Sequence, residues 1–473
     1  MKPKIRTRTA TLLAGFLLFL SDTALTAEPA RPDGKNPGRE QAPPEKAAAG
    51  QGVLLTPERR SDGTAAGSSA VAANATQSVQ PVQPVQSAQP AQPAQPQKQL
   101  IHQIGAEFRP ECIFPTNSFL AGRNNARERI HSSLSEHLRY SFRFRPGTER
   151  DKIYSGVYQG IGAARYAFGN RTELGDPIAV YLFQGGRVTT LSPRVSLNYE
   201  WNFGLSFGWK PYDPETNPAN MMMGSKMNAY LNVDFYFLWM LSQRIGLTAG
   251  FSLTHFSNGN TKFPNAGMNS GGLKTGLTYN FGNTGSLPQR LPQALRPEFP
   301  RHVSYDLVLF GSWRRKGVEF NGRQLPSPEA YTVLGFNLSA MYNFGYKFRA
   351  GISADGVYDG SANVYTEDYI TGIGGDDPGY TFYKPALNKQ LSLGLSARAE
   401  FVMPYFTVGI GLGLNVLHKG GDLKALYQVV SLKVAVTRSS FIHIGYSLKD
   451  FQTPNYLMLG VGYRFNNKYP RLK

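Results

Sequence analysis

Cysteine is nearly absent from this chain, which has one, Cys112, among its 473 residues. A single thiol excludes an intrachain disulfide and every zinc site that needs several cysteines. The seven histidines stand at no spacing that a metal site uses. The sequence therefore predicts neither a metal nor a cofactor.

Long apolar runs are scarce as well. Beyond the N-terminus no stretch is long and apolar enough for a membrane-spanning helix, and none keeps a helical period. The glycine-rich phosphate loop of nucleotide-binding proteins is also missing. These absences argue against a typical soluble enzyme and against a helical membrane protein.

Acidic residues are outnumbered, with 32 Asp and Glu against 50 Lys and Arg, for a formal net charge of +18. No helix-turn-helix pattern, zinc-ligand spacing or RNP-like motif accompanies this charge, so no nucleic-acid partner is expected. A basic surface also suits neighbours that are phosphorylated glycolipids. A general bias of the solvated surface explains the charge equally well.

The N-terminal segments are expected to lie outside the fold. Residues 1–27 carry basic residues, an apolar core and a small-residue end, which is typical of a secretory signal peptide. Residues 28–100 are rich in Pro, Gln and Ala and include the near-repeat at 79–97. This composition predicts a disordered, partly polyproline linker, for which a plain spacer is a better interpretation than a partner-binding arm.

Glycine and aromatic residues are plentiful, at 50 Gly and 12% aromatics. From Ser135 onward, segments of about ten residues alternate apolar with small or polar residues, and each ends in Gly, Asn, Asp or Pro. This pattern predicts an all-β fold in which residues 101–473 form a transmembrane antiparallel β-barrel. Residues 101–130 are expected to plug or cross its periplasmic mouth.

Fifteen segments fit the strand pattern, and a proline-rich break at 287–300 divides them into seven and eight. They are 138–144, 155–166, 178–188, 195–203, 227–240, 245–256, 272–281, 305–313, 331–342, 348–357, 391–402, 406–417, 427–436, 441–448 and 456–465. Because bacterial single-chain barrels prefer even numbers, we predict about fourteen strands, with twelve to sixteen open. The last segment alternates up to Phe465, like the C-terminal insertion signal of outer-membrane proteins, and a short basic extension follows it.

The segment Ile245–Ser257 alone combines a strand pattern with reactive groups. Every second residue from Ile245 is apolar until the row ends in His255 and Ser257, and the intervening residues are mostly small or polar. In a membrane barrel the apolar row is the outer wall. Residues two apart on a strand have Cα atoms about 7 Å apart, so an imidazole can reach the hydroxyl and act as its base.

The stretch His255-Phe256-Ser257-Asn258, followed by Pro264-Asn265-Ala266-Gly267, resembles the active-site motif of the PagL-type lipid A deacylases. The chain looks like an elongated branch of that family of outer-membrane β-barrel serine esterases. The resemblance implies a bacterial outer-membrane location, lipid A of lipopolysaccharide as substrate, and removal of an ester-linked acyl chain at the 3-O position. The catalytic motif would then lie at residues 255–269.

The same resemblance implies a role for each motif residue. His255 would be the general base and Ser257 the nucleophile, and Asn258 or Asn265 would supply contacts near the oxyanion. The backbone N–H of Gly259 is a further candidate for that contact.

Asn269 departs from the family pattern, which has Glu at this position. An Asn cannot offer a carboxylate to the imidazolium, but its carbonyl can accept the Nδ1 proton and hold the ring's tautomer, as in Cys-His-Asn enzymes. We therefore expect a catalytic set of His255, Ser257 and Asn269.

Three alternatives remain open at this stage. The chain could be a non-enzymatic barrel, either a porin or an envelope-tethering protein, that keeps the motif as a relic; Asn269 and the added C-terminal strands favour this. An acidic loop with Glu367, Asp368 and Gly374–Asp377 could hold a divalent cation, although a solvated turn is the better interpretation. Glu200 is expected in the lumen, paired with a basic residue or, less plausibly, serving as the missing acid. The sequence does not determine the oligomeric state.

Overall fold

A computed structural model describes residues 100–154, 156–281, 297–315, 317–320, 323–327, 329–366, 382–424, 426–451 and 453–469. The predicted signal peptide, nearly all of the predicted linker and the acidic residues at 367–377 lie outside these ranges. Within them, no helix is long and apolar enough to cross a membrane.

The described chain is almost entirely antiparallel β-structure, and its long strands close into two separate barrels of eight strands each. The first barrel consists of β1 (Leu100–Ile113), β2 (Ser132–Phe144), β3 (Tyr158–Ala167), β4 (Ile178–Ser192), β5 (Val195–Phe207), β6 (Met227–Met240), β7 (Ile245–Ser257) and β8 (Met268–Phe281). It closes where β1 pairs with β8. A short helix, α1 (Glu149–Tyr154), lies between β2 and β3.

The second barrel follows the first in the chain and closes where its last strand pairs with its first. Its strands are β9 (His302–Arg314), β12 (Tyr331–Asn343), β13 (Phe348–Asp359), β16 (Leu391–Val402), β17 (Phe406–Leu417), β18 (Leu426–Ala435), β19 (Ser440–Lys449) and β20 (Thr453–Phe465). Two small hairpins lie in its loops: β10 (Gly317–Phe320) with β11 (Arg323–Pro326), and β14 (Tyr365–Thr366) with β15 (Phe382–Tyr383).

The all-β barrel fold is confirmed, and the prediction of one barrel of about fourteen strands is wrong. The total of sixteen barrel strands lies within the predicted range, but it is divided between two closed sheets. All fifteen predicted segments are barrel strands. The missing one is β1, because residues 101–113 form a strand and not a plug, and the proline-rich break separates the two barrels.

Strand β7 shows why these segments form barrel walls. Thr248, Ser252 and Thr254 point inward and are at most 2% exposed, whereas Ile245 and Phe251 point outward and are 42% and 68% exposed. A polar row facing the lumen and an apolar row facing outward is the arrangement that a bilayer selects. The described residues therefore have the outer surface of a membrane-spanning barrel.

The lumen of the first barrel is filled by buried ion pairs. Arg109 on β1 contacts Asp234 at 3.0 Å, and Lys274 on β8 contacts Asp234 at 2.7 Å and Glu200 at 3.3 Å. Arg139 on β2 also pairs with Glu200. The expectation that Glu200 pairs with a basic lumen residue is therefore confirmed.

Most of the longer connections of both barrels lie at one end, which we call the outer end because the long loops of bacterial barrels are extracellular. In the first barrel they are 114–131, 168–177, 208–226 and 258–267, and in the second they join β9 to β12, β13 to β16 and β17 to β18. At the opposite end lie the β2–β3 connection, which contains α1, and the short turns 193–194, 241–244, 344–347, 403–405 and 436–439.

The two barrels pack wall against wall. Trp201 on the outside of β5 meets Phe406 of β17 edge-on, with ring centroids 5.1 Å apart. Nearer the opposite end, Phe142 meets Tyr405 at 5.9 Å. At the outer end, the N–H of Arg315 donates to the carbonyl of Asn260 at 3.2 Å. These contacts place the 258–267 loop of the first barrel beside the rim of the second.

Candidate active site

His255 and Ser257 lie on the outer wall of the first barrel, at the outer end of β7, and both are half-buried. They face the same way because they alternate along the strand. Strand pairing places Leu231 of β6 on one side of His255 and Asn269 of β8 on the other. The predicted base, nucleophile and orienting residue are therefore brought together on one apolar wall.

A hydrogen bond fixes the imidazole. Nδ1 of His255 lies 2.6 Å from Oδ1 of Asn269, which is 5% exposed. An amide oxygen can only accept, so Nδ1 carries the proton and Nε2 keeps its lone pair. That is the tautomer in which an imidazole can take a proton from a neighbouring hydroxyl.

No hydrogen bond joins Ser257 to His255 within the described ranges, where Asn269 is the partner of the ring. Such contacts are often long in a substrate-free enzyme and shorten when the substrate binds. Ser257 pairs across β6 with Ala229, whose small side chain leaves the serine uncrowded.

Gly267 packs against one side of His255 and Ser257. A Cβ at this position would lie 3.2 Å from Cε1 of His255 and 3.8 Å from Cβ of Ser257. Its φ of +68° also favours glycine. The sequence motif included Gly267. The motif alone could not show that Gly267 lies against His255 and Ser257, because a pattern of residue types contains no distances.

The two asparagines predicted near the oxyanion, Asn258 and Asn265, stabilise the 258–267 loop itself. The N–H of Asn258 donates to Oδ1 of Asn265 at 2.9 Å, and its side-chain amide donates to the carbonyls of Lys262 and Pro264. The side-chain amide of Asn265 donates to Oδ1 of Asn260 at 3.0 Å. Both amides thus have partners within the loop, where they position the backbone beside Ser257.

Gly259 differs from these asparagines because it makes no hydrogen bond in the part of the chain that is described. Its φ is +63°, and a Cβ there would lie 3.6 Å from Cε2 of Tyr446 and 3.8 Å from Cδ1 of Leu457. Both neighbours belong to the outer wall of the second barrel. The site therefore lies against that wall, which sequence reasoning missed because it assumed one barrel.

A second serine-histidine pair lies inside the first barrel. Nε2 of His137 is 3.0 Å from Oγ of Ser135, and Nδ1 is 2.8 Å from the hydroxyl of Tyr181. Ser135 and His137 are 0% and 2% exposed. An ester cannot reach this pair, which acts as part of the lumen packing. Among the described residues there is also no cluster of His, Cys, Asp and Glu that could hold a metal.

Two family models match the chain. The model of lipid A 3-O-deacylase (PagL) matches residues 136–278, which include the whole motif, and the model of the acyloxyacyl hydrolase C-terminal domain matches residues 303–467. The division between them falls between the two barrels. No curated protein matched the sequence.

Solved structures with some likeness are bacterial barrels. Neisserial surface protein A is 14% identical, with 38% of this chain and 97% of that chain covered and a TM-score of 0.24. A deletion mutant of the TodX monoaromatic hydrocarbon channel is 9% identical, with 78% and 90% covered and a TM-score of 0.16. A mutant of the Rh. blastica porin is 10% identical, with 77% and 100% covered and a TM-score of 0.15.

The likeness to these structures is weak, and the family assignment depends on the two models. The first model covers the strands that carry His255, Ser257 and Asn269, and the second covers the added barrel. Together with the outward-facing motif and the barrel fold, these matches show that the chain belongs to the PagL-type family of outer-membrane lipid A deacylases.

Proposed function

We propose that this protein is an outer-membrane serine esterase that removes an ester-linked acyl chain from lipid A, at the 3-O position. The observation that carries the proposal is the 2.6 Å hydrogen bond from His255 to Asn269 on the outer wall, one alternate position from Ser257. The description of the matched family supports the choice of the 3-O ester.

In the proposed mechanism Nε2 of His255 takes the proton of Ser257 as its oxygen attacks the ester carbonyl. Asn269 keeps the ring oriented and disperses part of the charge on the imidazolium. The free N–H of Gly259 donates to the oxyanion. When the tetrahedral intermediate collapses, His255 returns the proton to the leaving sugar oxygen, and water then releases the fatty acid from Ser257.

The position of the pair on the wall suits a substrate that already lies in the membrane. Drawing an acyl chain out of the bilayer costs about 0.8 kcal/mol for each methylene. A site on the outer wall receives the ester without that cost. A site in the lumen, such as the Ser135 and His137 pair, could receive the ester only after the acyl chain had left the bilayer.

The porin alternative fits the structure poorly. Ion pairs fill the lumen of the first barrel, and a second set crosses the other one, where Arg349 contacts Asp306 at 2.6 Å and Lys433 contacts Glu400 at 2.7 Å. Charged side chains in the middle of both lumens leave little room for an open water-filled path.

The test is Ser257→Ala expressed in a bacterium with fully acylated lipid A, followed by mass spectrometry of the lipid. We expect the wild-type protein to remove one acyl chain and the variant to remove none. Ser135→Ala is the matched control, because it deletes the hydroxyl of the other serine-histidine pair, and it should deacylate normally. Equal acyl patterns with the wild type and Ser257→Ala would refute the proposal.

A further inference from the structure

A polar cavity opens at the outer mouth of the second barrel. Its volume is about 520 Å³, and the interior of the barrel forms its walls. The 258–267 loop of the first barrel, which we call the catalytic loop, covers one side through Asn260, Lys262 and Pro264–Ala266. The cavity therefore shares a loop with the candidate active site.

Three cations that line this cavity are without an acidic partner within 4.0 Å in the described ranges: Lys262, Arg315 and Lys449. Arg314 contacts Asp359 at 3.5 Å, but its Nε is buried and has no hydrogen-bond partner. These groups leave donors and positive charge available to an anionic ligand.

Three acids also line the cavity. Asp359 is paired with Arg314, Asp422 accepts the backbone N–H of Asn363 at 2.9 Å, and Asp355 is neutralised within the barrel. Asp355 contacts Arg398 at 2.7 Å, and the hydroxyls of Tyr427 and Ser396 donate to it at 2.7 and 2.6 Å. With five cations against three acids, the lining keeps an excess of positive charge, to which Lys262 and Arg315 contribute at the rim.

The rim of the cavity and the outer-wall site at His255 and Ser257 together fit one kind of molecule. Lys262 lies between Asn258 and Gly267 in the loop that contacts His255 and Ser257. The hydrogen bond from Arg315 to Asn260 holds the rim of the second barrel against this loop. A glycolipid with its chains in the membrane would present its ester to the wall and its polar headgroup to the rim.

We propose that this cavity binds the phosphorylated sugar headgroup of the glycolipid whose ester is hydrolysed at Ser257. The inference rests on the proposed function and adds a binding site to it. Arg315 and Lys449 bind the phosphate from the second barrel, and Lys262 binds it from the catalytic loop. The second barrel thus orients the substrate, and the first cleaves it.

The test compares two double variants of the full chain in detergent micelles. Arg315→Ala/Lys449→Ala removes two charges from the cavity. Lys226→Ala/Lys419→Ala is the matched control, because it removes two exposed lysines at the outer end that do not line the cavity. The probes are a phosphorylated lipid A, the same lipid after dephosphorylation, and inorganic phosphate alone.

We expect the cavity variant to bind phosphorylated lipid A about tenfold more weakly or worse, since a charge-assisted hydrogen bond contributes about 1.5–3 kcal/mol. The control should bind like the wild type, and the dephosphorylated lipid should bind all three proteins equally weakly. In turnover, the cavity variant should raise KM and leave kcat near the wild-type value.

Equal binding of phosphorylated lipid A by the cavity variant and the control would overturn the inference. The inference would also be overturned if inorganic phosphate bound in the cavity while the affinity for phosphorylated lipid A was unchanged by the substitutions. The cavity would then be a site for a free anion. Failure of the proposed function has a different signature, namely turnover by Ser257→Ala, and the binding comparison does not depend on turnover.

Discussion

At the scale of single residues, the candidate site depends on an amide where the family pattern has an acid. Asn269 is buried and its oxygen accepts from Nδ1 of His255, so it can fix the ring's tautomer without a charge. Its effect on catalysis would come through His255, which makes it a positioning residue.

Asn269→Ala should lower kcat on the order of a hundredfold and leave KM nearly unchanged, because the base loses its orientation and the lipid contacts remain. Asn269→Asp keeps an acceptor oxygen at the same place and should recover most of the activity. Kinetics with purified lipid A in micelles would measure both. A fall in kcat that Asn269→Asp does not reverse would argue against a positioning role.

Gly267→Ala should also impair catalysis, because its Cβ would lie 3.2 Å from the ring of His255 and its φ is positive. We expect a drop in kcat/KM of at least about tenfold, together with a backbone cost of about 1–2 kcal/mol. Gly147→Ala separates the two effects. Gly147 has a φ of +85° and nothing within 4 Å of its Cβ, so this variant should bear the backbone cost and keep full activity.

At the scale of the strand, β1 shows that a membrane-type strand can carry a row of charged residues. Glu107, Arg109 and Glu111 point into the lumen and are at most 4% exposed, whereas Ile104 and Phe108 face outward. The alternation was present in the sequence, but residues 101–130 were predicted to plug or cross the periplasmic mouth. The lumen of a barrel accepts charges when partners meet them across the sheet.

Arg109→Ala should therefore destabilise the first barrel strongly. It would leave Asp234 and Glu107 in the lumen without one of their cations, which costs about 3–5 kcal/mol when one partner of a buried pair is removed. Arg165→Ala, which breaks a largely exposed pair with Asp176, should cost at most about 1 kcal/mol. Heat- or urea-induced unfolding in detergent would compare the stabilities of the two variants. Equal unfolding midpoints would contradict a stabilising role for the ion pairs in the lumen.

At the scale of the whole molecule, the second barrel is a partner of the site and not an appendage. It packs on β5 through Phe406, and its wall reaches Gly259 through Tyr446 and Leu457. The catalytic loop lies where the two barrels meet. This arrangement is the one that the proposed binding of the lipid headgroup by the second barrel requires.

The packing of the barrels predicts a specific crosslink. In a Cys112→Ser background, Phe142→Cys and Tyr405→Cys should be joined by a short bifunctional thiol reagent, because the two rings are 5.9 Å apart. Phe142→Cys with Val416→Cys is the control, because Val416 is exposed at the outer end of β17, about 35 Å along that strand from Tyr405. Gel mobility of the full-length protein would report the result. Equal crosslinking of both pairs would contradict the packing of the two barrels at Phe142 and Tyr405.

Much of the fold could be predicted because alternation is a local property. The face of each residue on β7 and β20 follows from period two, and the structure has the same faces. The loop contacts of Asn258 and Asn265 could not be predicted. Whether an amide holds its own loop or faces a substrate depends on the path of the backbone between residues 258 and 267.

The sequence by itself determined that this chain has membrane-type strands, that His255 and Ser257 share the apolar face of one of them, and that the motif belongs to a lipid A deacylase family. Only the tertiary structure decided that the strands close into two barrels and that the second barrel forms a cavity beside the catalytic loop. The physical reason is that closure depends on hydrogen bonds between distant strands, β1 with β8 and β9 with β20. Backbone pairing of this kind leaves no mark in the side-chain pattern of either strand.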